Sequence, residues 1–109
     1  MSWIDVGDIN DIPVRGARLV KTHLGCVALF RTKPDEVFAT SNVCPHKNGP
    51  LVEGIVHDQK VTCPLHNWVF DLNTGAALGE EGQIDTFPVQ LENGRVLLDA
   101  AAVGARSAA

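Results

Sequence analysis

Two short boxes in this chain carry side chains able to hold a metal centre. The first reads Cys44-Pro45-His46 and the second Cys63-Pro64-Leu65-His66, with sixteen residues between them. Each box offers one thiolate and one imidazole, good ligands for a soft or borderline metal. One residue separates Cys from His in the first box and two in the second. A structural zinc site usually pairs Cys with Cys and His with His, whereas each box here mixes them. Mixed boxes suit a [2Fe-2S] cluster in which two His replace two Cys on one of the two irons. Zinc stays as the competing occupant, because it also accepts two Cys and two His. On the iron–sulfur reading Cys44 and Cys63 bind one iron, and His46 and His66 bind the other. Such a cluster passes one electron at a time. With four protein ligands set, it has no open position for a substrate.

The neighbours of the boxes fit a sheltered cluster. Val43, Gly49, Pro50, Leu51 and Leu65 are apolar or small and would keep water away. Pro45 and Pro64 restrict the backbone beside each thiolate but have no N–H, so other loop amides must donate to the sulfurs. The remaining candidates are weaker. His23 reads as a turn residue and Cys26 as a small buried hydrophobe. His57 falls in a predicted turn beside Asp58 and is read as solvated. No nucleophile–base pair is evident. The glycines at 49, 54, 75, 79, 82 and 94 are scattered turn positions, not a dinucleotide loop. No catalytic residue is assigned, and no small-molecule substrate is expected to bind directly.

The elements that must position the boxes are short strands. Alternating or β-prone runs cover 2–6, 17–22, 25–31, 36–40, 55–56, 60–63, 67–72, 84–91 and 95–99. Gly, Pro and Asn punctuate them, as at Thr32-Lys33-Pro34-Asp35 and Glu92-Asn93-Gly94. No helical period is sustained. The pattern predicts an all-β antiparallel sandwich or barrel, with the two boxes on loops at one tip. Residues 1–99 form one domain, and 100–109 is a small-residue tail expected to fray.

The chain has 109 residues, 45% of them hydrophobic and 20% charged, ordinary for a globular domain. A formal net charge of -4 excludes the basic stripe of a nucleic-acid binder. The first residues have neither a basic stretch nor an apolar core of a signal peptide, and no apolar run could cross a bilayer. The expected setting is the cytoplasm, away from membranes. Three cysteines are better explained there by metal ligation plus one spare thiol than by disulfides.

The two boxes and their spacing resemble the signature of Rieske [2Fe-2S] proteins, and the resemblance runs from Val37 onward. Within that family, Cys44-Pro45-His46-Lys47-Asn48-Gly49-Pro50-Leu51, Gly54-Ile55-Val56 and the run from Cys63 to Gly75 look like the small subunit of assimilatory NAD(P)H nitrite reductase. The step His66-Asn67-Trp68 carries much of that likeness. It implies a redox subunit that binds no substrate itself, working with a large subunit that holds flavin, a [4Fe-4S] cluster and sirohaem and reduces nitrite to ammonium. The alternative is a free Rieske ferredoxin delivering electrons to a ring-hydroxylating dioxygenase, and a third reading is a zinc-stabilised interaction module. Thr22-His23-Leu24-Gly25-Cys26 resembles the first box of respiratory Rieske proteins, but Lys21 stands where that box has Cys. Those proteins also carry an extra Cys in each loop, where this chain has Gly49 and Leu65, and use Tyr and Ser hydroxyls as donors. This chain has no Tyr. Fewer donors stabilise the reduced cluster less, so the midpoint is expected toward the low end of the range of about -150 to +300 mV.

Overall fold

The computed structural model describes residues 3–22, 25–42, 51–63, 68–79 and 82–107. In chain order its strands are β1 (Trp3–Asp8), β2 (Gly16–Thr22), β3 (Gly25–Lys33), β4 (Glu36–Ser41), β5 (Ile55–His57), β6 (Lys60–Thr62), β7 (Val69–Asp71), β8 (Thr86–Phe87), β9 (Val89–Glu92) and β10 (Arg95–Asp99), followed by helix α1 (Ala100–Ser107). The centre is Val27-Ala28-Leu29-Phe30 in β3, with every residue fully buried. A strand with one wet face alternates apolar and polar residues, and an unbroken apolar run belongs where both faces are covered. Here β3 lies inside an antiparallel sheet of order β2-β3-β4-β8. A second sheet, β1-β10-β9, and a third, β5-β6-β7, complete the described strands.

The two faces of the middle sheet feed two cores. Ala28 and Phe30 pack with Leu51, Val56, Val61, Cys63, Phe70 and Leu72. Val27 and Leu29 pack with Ile12, Val37, Phe87, Val96, Leu98 and Val103. Polar ties join the layers. The Arg31 guanidinium donates to the carbonyls of Ile9, Ile12 and Pro34, holding the loop after β1 against the β3–β4 hairpin. Glu36 accepts from the Thr32 hydroxyl and from Gln59 Nε2, which links that hairpin to the β5–β6 turn. The Thr32 hydrogen bond, aided by Gln59, holds the Glu36 carboxyl below its ordinary value, against the opposing effect of burial.

The all-β antiparallel expectation holds, with two local departures. Residues 84–91 read as one strand, yet the structure breaks it at Pro88. Thr86 and Phe87 pair with β4, and Val89 to Glu92 pair with β10. Proline has no N–H for a ladder, so it marks the point where the chain changes sheets. The tail expectation also fails over 100–107, which form α1. Ala is the strongest helix former, Asp99 Oδ1 caps the Ala101 N–H at 3.1 Å, and Val103 is buried in the second core.

Candidate metal centre

Both ligand boxes leave from the first core. The connection 43–50 is closed at its base by Asn42. The Asn42 carbonyl accepts from the Leu51 N–H at 3.1 Å, and its Oδ1 accepts from Val52 N–H at 2.9 Å. Leu51–Glu53 then makes one 3₁₀ turn, closed by Gly54 N–H donating to the Leu51 carbonyl at 2.9 Å. The connection 64–67 is closed by Cys63 N–H donating to the Trp68 carbonyl at 2.7 Å, one step beyond the Thr62–Val69 pair of β6 and β7.

Gly54 sets the two bases side by side. A Cβ placed there would collide with the Thr62 carbonyl and lie 2.9 Å from Val61 Cγ2. Only glycine lets the turn after the first box press on β6 beside the second. Leu51 and Cys63 are both fully buried in this shared core, at 0% accessibility. Trp68 packs against the same core, its ring 6.3 Å from that of Phe70.

Of the four predicted ligands, the described residues include Cys63. Cys44, His46 and His66 lie outside them, as do Lys47, Gly49, Leu65, Asn67 and His23. Cys63 forms no disulfide, and its surroundings are Leu51, Val61 and Phe70. A buried, free sulfur donor at Cys63, the first residue of the second box, fits a thiolate ligand kept from water.

Two side-chain expectations are corrected. Cys26 is exposed, not a buried hydrophobe. It pairs with Lys21 near the start of β3, before the stretch that both cores cover. His57 is not a solvated turn residue. It ends β5, is half-buried, and its Nε2 lies 2.6 Å from Thr62 Oγ1. The turn is Asp58-Gln59, where Asp58 adopts φ 51°. Asn42 and Gly54 were not singled out from sequence as loop-closing residues. The Asx-forming tendency of Asn is a local signal, but the amide it caps here lies ten residues away.

Three antiparallel sheets, with the bases of the two box-bearing connections held side by side, are the frame of an iron–sulfur electron-transfer domain. The chain belongs to the Rieske-like [2Fe-2S] domain family, whose model matches residues 2–99. It is 36% identical, over 89% of its length and 94% of the relative's, to the ferredoxin component of the naphthalene 1,2-dioxygenase/salicylate 5-hydroxylase systems of a Ralstonia species. It is 35% identical to the ferredoxin component of the naphthalene 1,2-dioxygenase system of Pseudomonas putida, covering 91% of this chain and 96% of that one. A crystal structure assigned to the NADH-dependent nitrite reductase small subunit of Mycobacterium tuberculosis superposes with a TM-score of 0.81 at 25% identity, covering 88% of this chain and 92% of that one.

These relatives overturn the nitrite reductase assignment. Ferredoxin components of dioxygenase systems share 33–36% of aligned residues with this chain over most of both chains, while the superposition on a nitrite reductase subunit reports a backbone that solved ferredoxins match equally well. The residues after the second box misled. Trp68 is a packing residue of the first core, and such a position reports on the shared fold and not on the partner.

Proposed function

We propose that this chain is the ferredoxin component of a ring-hydroxylating dioxygenase system, carrying single electrons from a reductase to a terminal oxygenase. The observation that carries the reading is the 36% identity to such a component over nearly the full length of both chains. The match spans a whole electron carrier and not only a shared module. Cys44 and Cys63 would hold one iron of the cluster, and His46 and His66 the other. The cluster supplies one-electron chemistry when bound. The chain's own part is to bury the Cys63 thiolate and to fix the bases of the two loops through Asn42, Gly54 and the Cys63–Trp68 hydrogen bond. Oxygen chemistry and the aromatic substrate belong to the oxygenase. The cytoplasm suits this role: Cys26 and Cys63 form no disulfide, and no helix among the described residues is long and apolar enough to cross a membrane.

The test is a pull-down from the native cell with the full, cluster-loaded chain, followed by single-turnover electron transfer. The expected result is co-purification of an oxygenase component, and loss of the reduced visible spectrum when that oxygenase is mixed with dithionite-reduced protein. A colourless, zinc-containing protein sinks the redox reading, and a protein that reduces no oxygenase sinks the assignment to a dioxygenase system.

A further inference from the structure

The third sheet presents two unlike faces. Val56, Val61, Phe70 and Ala77 are successive cross-strand neighbours, and all four are buried. Side chains alternate along strands, so the flanking row lies on the opposite, outward face. That row is Ile55, Thr62, Val69 and Leu78: Ile55 pairs with Thr62, Thr62 pairs with Val69, and Leu78 N–H donates to the Val69 carbonyl at 2.8 Å. Ile55 is 70% exposed and Leu78 is 46% exposed. Each leaves much of its apolar area in water in the isolated protein. The two stand at the ends of a row whose middle is Thr62 and Val69.

The row adjoins the bases of the ligand loops. Thr62 is bonded to Cys63, Val69 follows the Trp68 carbonyl that closes the second loop, and Ile55 follows Gly54. A protein that comes close to the ligand loops from this side must cover the row. We propose that this outward face, centred on Ile55, Thr62, Val69 and Leu78, is where the terminal oxygenase seats to take the electron. The inference rests on the ferredoxin reading above and names the surface by which that role is carried out.

Size and charge both select this occupant. Strands lie about 4.8 Å apart, so four side chains span roughly 14 Å. That is within the footprint of a transient redox contact, under about 1,200 Å² in total, and short of the roughly 2,000 Å² of a permanent dimer. An apolar centre with a polar rim is the anatomy of such contacts. On the same strands Lys60 pairs with Asp71 and His57 is held by the Thr62 hydroxyl, while Glu53 and Asp58 are exposed next to β5 in the chain. Among these described residues three carboxylates stand against one ammonium, so an oxygenase face that fits carries an apolar centre with basic residues around it.

The test compares steady-state electron delivery to the oxygenase recovered from the native cell, using cluster-loaded Ile55→Lys and Leu78→Lys. Val14→Lys and Leu19→Lys are the controls, since Val14 and Leu19 are 45% and 36% exposed but lie on other elements. Each variant is first shown to keep the wild-type visible spectrum and midpoint. If a Lys variant fails to load its cluster, Ile55→Ala and Leu78→Ala replace it. The expected result is a KM for the oxygenase raised about tenfold in the two face variants, kcat little changed, and both controls within twofold of wild type. Wild-type KM should also rise with salt, as an ion-steered contact requires. Face variants that match wild type overturn this inference and leave the ferredoxin reading standing. A wild-type protein that reduces no oxygenase overturns both. A wild-type dimer in sedimentation that Ile55→Lys dissociates assigns the face to a second copy, which also overturns it.

Discussion

At the scale of single residues, the two described cysteines behave oppositely. Cys63 is fully buried at the mouth of the second loop, and Cys26 is exposed at an end of β3. Cys63→Ser should therefore abolish the visible absorption of the purified protein, because a hydroxyl does not replace a thiolate on iron. Cys26→Ser should leave the spectrum and midpoint unchanged. A spectrum lost in the second variant would place a ligand at the wrong cysteine. The candidate ligands stand out in the sequence because metal binding accepts few side chains at restricted spacing. The environment of Cys26 was not, since exposure there depends on how far two other sheets extend over β3. Partner identity was also out of reach. His66-Asn67-Trp68 looked diagnostic, but Trp68 packs beside Phe70 against the first core, a structural role that names no partner.

At the scale of elements, the strands were legible and their junctions were not. The continuous run Val27 to Phe30 and the turn Asn93-Gly94 each carry a local signal, the latter borne out by φ values of 51° and 78°. The exchange of sheets at Pro88 and the docking of α1 depend on distant layers, and a single chain read in windows does not contain them. The junction that matters most for the site is Gly54. Gly54→Ala would drive a methyl into the Thr62 carbonyl and against Val61. The backbone between the two loop bases must then part. The cost expected is about 1–3 kcal/mol, as for other overpacked sites. Chemical denaturation of the cluster-loaded variant measures it. Because the strain falls between the loops, cluster loss on dilution or mild heating should also accelerate. A variant as stable as wild type would mean that the contact relaxes freely.

At the scale of the whole molecule, two cores share one sheet, and the ties between layers are unequal. Glu36 connects the β3–β4 hairpin to the β5–β6 turn through Thr32 and Gln59, and its pKa is lowered from an ordinary 4.5 mainly by the Thr32 hydrogen bond. A carboxyl with a depressed folded pKa adds stability above its unfolded value and loses it as pH falls through the folded one. Glu36→Gln should thus lower the Tm at pH 7, with the difference from wild type closing below about pH 4. A gap that persists in acid would exclude Glu36 ionisation as its source. Removing the cluster tests the division of the molecule directly. Metal binding is coupled to folding, so the free energy of ligation goes into ordering the residues that hold the metal. Those residues leave from the core of Leu51, Val56, Val61, Cys63 and Phe70, while the core of Ile12, Leu29, Val96, Leu98 and Val103 contains no residue of β5, β6 or β7. Local opening follows such contiguous units. In the apoprotein, amide exchange at Val56, Val61 and Phe70 should speed up by orders of magnitude, with Leu29, Val96 and Leu98 staying close to their protection in the loaded protein. Uniform acceleration across both sets would mean that β3 transmits the loss through the middle sheet, and that the electron carrier and its scaffold unfold as one unit.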